Sequence, residues 1–417
     1  MRGGSCYNSR MATSLRWRAL AASLVVGALC GCAAEGAGIG AITVRDSSGV
    51  AIVENDLARL NAQCRMDAAP TLSIGVEEGS EEYVLGSVAG AVRLSDGRIV
   101  LANRGTRQLR YYDSTGRFIR SSGREGEGPG EFRQPFYLHL LPGDTVYAGD
   151  FRPFRFLVFA PDGEWVRTVM PMPILPNVPA TRNVLDDGRL VLGVRQSRAT
   201  REAGFPVEMM TLQVQGADGV LLDTIAELPN GRYGEVEPGS NFFSSPFFES
   251  FPQVAATGSL IVIGHGSSDE LRQHGTTSGY PLERIVRWTS VSRDITAADV
   301  AAEKARIAKQ YETSDERNRA LYLTPQISDK RPVAERFPAF SGLMLGRDGR
   351  MWIREYQPPV DTSGRRWVAF TADGRFDCRL QTPRFREFLE VGKDHMLVLD
   401  EDSLGVERVK LFTITHP

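Results

Sequence analysis

The sequence predicts an all-β fold, a six-bladed β-propeller whose blades are four-stranded antiparallel sheets. Hairpin turns are the first observation, because Asp-Gly pairs favour tight turns and recur at positions 96–97, 162–163, 187–188, 218–219, 348–349 and 373–374. The second observation is a set of six apolar strands that each follow a turn: RIVLAN (98–103), TVYAGD (145–150), RLVLGV (189–194), SLIVIG (259–264), RMWIRE (350–355) and HMLVLD (395–400). These signals repeat at roughly 40–50 residues, the period of one blade, so six central strands indicate six blades.

The ring is predicted to close with a strand from the N-terminal segment. After HMLVLD the last unit has only ERVKLFTI (407–414), so its fourth strand is missing. Two spare segments of strand character precede the first blade, ITVRDSSGVAIVEN (42–55) and TLSIG (71–75). An N-terminal strand in the last blade would remove its open edge, and we expect TLSIG to be that strand.

A helical insertion is expected between blades four and five, over residues 294–322. Thr296 followed by Asp299 is a capping-type helix start, and AADVAAEKARIAKQY (297–311) is rich in helix formers. The insertion is expected to lie over a face or a side of the propeller, where it could act as a lid or a docking element.

The N-terminus has the features of an export signal. Arg16 and Arg18 precede the apolar segment 19–29, which is too short to span a bilayer as a mature helix. The following residues, Leu29-Cys30-Gly31-Cys32, resemble a bacterial lipobox, which implies lipidation at Cys32. Ordinary secretion and an uncleaved anchor are the alternatives. The predicted organisation is a signal peptide (1–31), a tether and N-terminal segment (32–70), and the propeller with its insertion (71–417).

Export bears on location and on cysteine chemistry. Ala33, rather than Asp, follows Cys32; by resemblance to lipoprotein sorting rules this implies an anchor in the outer membrane or on the periplasmic side. Outside the signal and the lipidation site, Cys64 and Cys378 remain. In an oxidising compartment they either form a disulfide or stay as two separate thiols, and the sequence does not decide between these alternatives.

The glycine-rich run GREGEGPGEF (123–132) is predicted to cross from one blade to the next. It lacks the Lys and hydroxyl residue of a phosphate-binding P-loop, and its three glutamates would repel an anion. Together with RQP (133–135) and the strands that follow, it resembles the NHL repeat of bacterial six-bladed propeller lipoproteins. The resemblance implies that Phe132 packs between blades and that Pro135 starts an inner strand.

Oxygen-bearing side chains recur at the ends of the apolar strands. We expect these strands to lie near the channel, and their register gives Asn103, Asp150, Glu355 and Asp400. A ring of oxygen ligands suits calcium, and propeller lactonases, which this pattern resembles, hold one calcium ion in the channel. Alternatively, each acid caps its strand and binds loop amides.

A second set of residues, next to these, could form a ligand-binding rim. It consists of Arg104, Arg107, Arg152, Arg195 and Tyr356. Arginines and aromatic rings on one rim suit an anionic ligand, a glycan or a protein; solvated loop charge is the alternative.

The resulting functional hypothesis is a lipid-anchored propeller that binds a protein, peptide or glycan partner at the cell envelope without catalysis. No residue is predicted as catalytic, because GxSxG is absent and the five histidines lack ligand spacing. A net charge of −2 gives no sign of nucleic-acid binding. The alternative hypothesis is a calcium-dependent, lactonase-like hydrolase that uses the four oxygen-bearing residues.

Overall fold

The structure is a computed structural model that describes residues 40–172, 179, 181–195, 204–237, 239, 242–289 and 292–417. The predicted signal peptide, the lipidation site at Cys32 and the start of the tether lie outside these residues. No helix in the described ranges is long and apolar enough to cross a membrane.

Four strands precede the first blade. They are β1 (Ile42–Ser47), β2 (Val50–Asn55), β3 (Arg65–Met66) and β4 (Leu72–Ile74), and a 3-10 turn (Glu81–Tyr83) follows them.

Six antiparallel sheets form the blades, as predicted. Blade one consists of β5 (Val88–Arg93), β6 (Ile99–Asn103), β7 (Gln108–Tyr112) and β8 (Phe118–Ser122). Blade two consists of β9 (Pro135–Leu141), β10 (Thr145–Phe151), β11 (Phe154–Phe159) and β12 (Trp165–Val169), with a 3-10 turn (Pro142–Asp144) between β9 and β10. Blade three consists of β13 (Thr181–Val184), β14 (Leu190–Arg195), β15 (Val207–Gln215) and β16 (Leu221–Arg232). A two-stranded ladder, β17 (Gly234–Glu235) and β18 (Phe243–Ser244), lies between blades three and four.

Blades four to six follow the same order. Blade four contains β19 (Pro252–Thr257), β20 (Leu260–His265), β21 (Glu270–Gly275) and β22 (Leu282–Trp288). Blade five consists of β23 (Phe340–Leu345), β24 (Met351–Glu355), β25 (Arg365–Phe370) and β26 (Phe376–Thr382). Blade six contains β27 (Glu387–Val391), β28 (His395–Glu401) and β29 (Glu407–Thr415).

The ring closes through the strand that the sequence predicted. β4, within TLSIG, pairs antiparallel with β29 and supplies the fourth strand of blade six. β3 pairs with the last residues of the same strand. A disulfide between Cys64 and Cys378 joins this N-terminal segment to β26. The structure therefore contains the disulfide and not two separate thiols.

The other N-terminal strands extend blade four. β2 runs parallel to β22, its register placing Val53 beside Val286, and β1 forms the outermost strand. Blade four therefore has six strands. The sequence predicts strand character for 42–55 but not its place beside blade four.

The core consists of six apolar clusters, one at each contact between neighbouring blades. Side chains alternate between the two faces of a strand. In β6, Val100 and Ala102 therefore join the cluster shared with blade two, and Ile99 and Leu101 join the cluster shared with blade six. Burial on both faces explains why the second strands are continuously apolar.

The glycine-rich run connects blades one and two, as predicted. It leaves β8 after Ser122 and leads into β9, which starts at Pro135. Gly123 has a φ of 82°, and a Cβ there would lie 2.7 Å from the ring of Phe132. Phe132 is fully buried in the cluster between the two blades and stacks on Phe159.

The insertion is helical, as predicted. It contains α1 (Ala297–Gln310), α2 (Glu316–Asn318), a π-helical turn (Arg319–Leu323) and α3 (Thr324–Gln326). Thr296 and Asp299 form a capping box at the start of α1. Ile307 is buried, and the ring of Phe337 packs between Phe248 and Tyr356.

Candidate ligand-binding site

The first strand of each blade lines the central channel, because these six strands contact one another around the ring. The second strands, which the sequence interpretation placed near the channel, lie one strand farther out. Their ends and the connections between blades form one face, here called the crossover face. The turns between first and second strands form the opposite face, here called the hairpin face.

Asp150 holds the crossover between blades one and two. Its carboxylate is fully buried and accepts hydrogen bonds from the backbone N–H groups of Arg133 (3.1 Å) and Gln134 (2.6 Å). It also pairs with the buried guanidinium of Arg155 at 3.1 Å. Arg155 donates to the carbonyls of Glu127 and Glu131. The carboxylate therefore fixes the chain reversal that carries the glycine-rich run.

The other three predicted calcium ligands also have partners within their own blades. Asn103 accepts a hydrogen bond from the backbone N–H of Gly86 at 3.0 Å. Glu355 pairs with Arg366 (3.2 Å) and Arg379 (3.5 Å). Asp400 pairs with Lys410 at 2.5 Å.

Among the described residues, a different group could share a metal ion: Cys64, Asp377, Cys378 and His416. The potential ligand atoms of these four side chains lie close together. The calcium site at Asn103, Asp150, Glu355 and Asp400 stays a prediction.

The predicted rim residues divide into three kinds. Arg104 and Arg107 each donate to a backbone carbonyl of the crossover, at Pro135 (3.0 Å) and Arg133 (3.3 Å). Arg152 and Arg195 are exposed on the same face.

Tyr356 is partly buried beneath the insertion, with its ring 5.3 Å from that of Phe337. Burial and the nearby Glu303 raise the pKa of Tyr356, so its hydroxyl stays protonated. The ligand role of this rim remains a prediction.

A cavity of about 240 Å³ occupies the channel toward the hairpin face. All six inner strands contribute to it, and its polar lining includes His139, Asn183, Arg347 and Glu390. The Glu390 carboxylate accepts from the backbone N–H of Arg93 and pairs with Arg347 at 3.2 Å. These contacts tie blades five, six and one together beside the cavity.

His139 is a neutral base in this channel. Its Nδ1 lies 3.1 Å from the Tyr137 hydroxyl, and its Nε2 is buried without a hydrogen bond of good geometry among the described residues. Burial, and to a smaller extent the charge of Arg347, lower the pKa of His139 to about 4. The ring is therefore unprotonated at neutral pH.

His139 should make the fold less stable in acid. The folded-state pKa lies below the ordinary value of 6.5, so between about pH 6.5 and 4 the unfolded chain binds a proton that the native chain does not. Native stability should fall through this window by roughly 2 kcal/mol at pH 4.5. His139→Gln should remove that loss, whereas the control His274→Gln should keep it. Urea midpoints at pH 7 and 4.5 measure the difference, and an unchanged pH dependence in His139→Gln would contradict this interpretation.

A second cavity, of about 340 Å³, lies on the crossover face under the insertion. Three separate parts of the chain build it. Blade three and its connection to blade four supply Arg232 and Glu249. Blade four supplies His265 and Ser267, and the insertion with its flanking segments supplies Arg293 and residues 334–337. We call this the cap cavity.

The arginines in the walls of the cap cavity differ in their contacts. Arg232 and Glu249 form a paired wall, with the guanidinium donating to Oε2 of the carboxylate at 2.9 and 3.1 Å and to Oε1 at 3.3 Å. Arg293 donates to the carbonyls of Phe337 and Ser267 and so anchors the insertion to blade four. Arg336 is exposed at the cavity, and no described residue pairs with its guanidinium.

His265 lies in the wall of the cap cavity. Its Nδ1 accepts from the backbone N–H of Ser267 at 3.2 Å and lies 2.7 Å from the Ser267 hydroxyl. The proton of the neutral ring is therefore on Nε2, which is buried and faces the backbone carbonyl of Pro229. Burial lowers the pKa of His265, with the carboxylate of Glu249 partly opposing it. The donor that the cavity leaves unpaired is thus the guanidinium of Arg336, which suits a ligand that carries an acceptor.

Sequence reasoning missed the cap cavity. Its residues are spread from Arg232 to Phe337 and share no motif. The one sequence signal was the helical insertion, for which a lid role was considered.

No family model matches this chain, and no curated protein matches its sequence. Solved structures that resemble it include a Bacteroides fragilis protein described as exported, with 10% identity, coverage of 87% of this chain and 98% of that chain, and a TM-score of 0.48. A calcium-binding regucalcin from Agrobacterium tumefaciens has 9% identity, coverage of 85% and 97%, and a TM-score of 0.39. Virginiamycin B lyase from Staphylococcus aureus has 11% identity, coverage of 89% and 99%, and a TM-score of 0.37. At these identities and TM-scores the likenesses carry no argument about function.

Proposed function

We propose that this protein is an exported, lipid-anchored propeller that binds a protein, peptide or glycan partner at the cell envelope and does not itself catalyse a reaction. The cap cavity is the binding site. The observation that carries the proposal is the unpaired guanidinium of Arg336 at a cavity that three separate chain segments build.

The distribution of charged partners supports binding in the cap cavity. The carboxylates of Asp150, Glu355 and Asp400 each form an ion pair with an arginine or lysine of their own blade. In the cap cavity, by contrast, Arg336 offers a guanidinium with no partner among the described residues, next to the exposed side chain of Glu335. A carboxylate or another acceptor-rich group of the partner would satisfy this guanidinium.

Export and anchoring are supported by the sequence. The charged and apolar segments before Cys32, and the resemblance of residues 29–32 to a lipobox, favour a lipid-anchored chain. A buried disulfide also suits an oxidising compartment. Anchoring would hold the propeller near envelope partners.

Loss of the Arg336 guanidinium should weaken partner binding. A hydrogen bond between charged groups contributes about 1.5–3 kcal/mol, so Arg336→Ala should reduce the recovery of a co-purifying envelope component roughly tenfold or more. The matched control is Arg117→Ala, which removes an exposed arginine from the turn between β7 and β8 on the hairpin face. Quantitative mass spectrometry of material captured on tagged full-length chain compares the variants. Equal recovery with both variants would place the site elsewhere, and substrate turnover that depends on Asp150 or Glu355 would overturn the non-catalytic role.

A further inference from the structure

We propose that Cys64, Cys378, His416 and Asp377 form a zinc site when the Cys64–Cys378 disulfide is reduced. The potential ligand atoms of these four side chains all lie within 4.8 Å of one another. Two thiolates, one imidazole nitrogen and one carboxylate oxygen are a donor set that suits tetrahedral zinc. This inference does not depend on the proposed binding function.

The orientation of His416 points to a cation. Its Nε2 lies 2.8 Å from the carbonyl oxygen of Lys393, which can only accept a hydrogen bond, and 3.3 Å from Nη1 of Arg350. The shorter contact, to the acceptor, assigns a ring proton to Nε2. The unprotonated Nδ1 then faces the Cys64 sulfur at 3.2 Å and the Asp377 carboxylate at 3.1 Å. Three electron-rich atoms therefore converge on one point. A carbonyl that holds the far ring nitrogen is also the usual outer partner of a zinc-bound histidine.

Zinc binding leaves the net charge of the site unchanged. The Arg350 guanidinium lies 2.9 Å from the Asp377 carboxylate and 3.0 Å from that of Asp348. One Zn²⁺ with two thiolates is neutral, like the disulfide that it would replace. Cys64 and Cys378 are buried, whereas the side chains of Asp377 and His416 are 17% and 21% exposed, which leaves an entry path for an ion.

The switch between the two forms requires a reductant. A dithiol would donate two electrons and two protons, breaking the S–S bond to give two thiols and itself becoming a disulfide. Binding of Zn²⁺ would then release both thiol protons as the sulfurs become ligands. Rotation of the two cysteine side chains would separate the sulfurs to accommodate zinc–sulfur bonds of about 2.3 Å.

Zinc would replace the disulfide as the link across the seam where the ring closes. Cys64 belongs to the N-terminal segment, Asp377 and Cys378 belong to β26, and His416 directly follows β29. The link between the N-terminal segment and blade five would therefore persist under reducing conditions as a metal bridge.

Cobalt binding to the reduced full-length chain tests this inference. After reduction with a phosphine and its removal under anaerobic conditions, Co²⁺ should bind one per chain and give thiolate-to-cobalt charge-transfer absorption with the visible bands of a tetrahedral ion. Zn²⁺ should displace it and should raise the melting temperature of the reduced chain while leaving the oxidised chain unchanged.

Variants identify the ligands. His416→Ala keeps both thiols and should weaken Co²⁺ binding at least about tenfold, whereas the control His274→Ala should bind like the parent chain. The Cys64→Ser, Cys378→Ser double variant should show no charge-transfer absorption. Circular dichroism checks that the reduced chain is folded. Absence of Co²⁺ binding to the folded, reduced chain, or equal affinity in His416→Ala, would overturn the inference.

Discussion

Asp150→Ala is expected to lower the free energy of unfolding by about 3–5 kcal/mol, because it leaves the buried charge of Arg155 without its counterion. The carboxylate is fully buried, and it also accepts from two backbone N–H groups of the crossover. Both backbone donors would lose their acceptor in the same variant. Urea unfolding of the parent chain and the variant measures this loss of stability.

Two further variants separate the explanations for the Asp150 effect. Asp400→Ala changes the same register position in blade six, where the side chain is 30% exposed and pairs with Lys410, so it should cost less than about 1 kcal/mol. The double change Asp150→Ala, Arg155→Met should recover part of the stability, since no unpaired buried charge remains. A loss of stability that appears only when calcium is present would instead support the predicted metal site.

Replacing both cysteines of the disulfide is expected to lower the free energy of unfolding by about 4 kcal/mol, because the bond closes a very long loop in the unfolded chain. Cys64 and Cys378 are 314 positions apart in sequence. The Cys64→Ser, Cys378→Ser variant, unfolded in urea with a metal chelator present, should have a lower midpoint than the oxidised parent chain.

Reductant provides the control for the disulfide. With chelator present, it should lower the midpoint of the parent chain and leave the double variant unchanged. Hydrogen exchange should accelerate most in β3, β4 and β29, whose pairing closes the ring beside the bond. An equal response of both chains to reductant would show that the bond does not stabilise the native state.

The blades could be predicted from sequence because their signals are local. An Asp-Gly turn and an apolar strand each occupy a few consecutive residues, and a strand covered on both faces is continuously apolar. The crossover at 123–132 was also predictable, since glycines, Phe132 and Pro135 lie within 13 positions. TLSIG was predictable as the closing strand because the last blade had an unfilled edge.

Pairing between distant segments could not be predicted in the same way. The strand character of 42–55 is visible in the sequence, but its parallel pairing with β22 depends on which blade edge is open in three dimensions. The partner of Cys64 was undecided for the same reason. Neither local periodicity nor spacing specifies a contact across more than 200 positions.

The cap cavity was hidden because its chemistry depends on what is unpaired. Arg232, Arg293 and Arg336 are the same residue type in the sequence, yet only Arg336 has no partner among the described residues. Asp150 shows the opposite case. Its register position resembles that of a metal ligand, but in the structure its oxygens accept from the backbone N–H groups of the crossover and pair with Arg155. Sequence spacing shows which side chains occupy the same register position in different blades. Only the three-dimensional structure shows which of these side chains already have hydrogen-bond or ion-pair partners.

Site-specific photo-cross-linking in intact cells tests the central claim most directly. A photoreactive amino acid would replace Glu335, which lies next to Arg336 in the wall of the cap cavity, or Arg117 on the hairpin face of the full-length, exported chain. We predict a discrete cross-linked envelope component from position 335 and none from position 117. Cross-linking from position 117 alone, or equally from both positions, would contradict binding in the cap cavity.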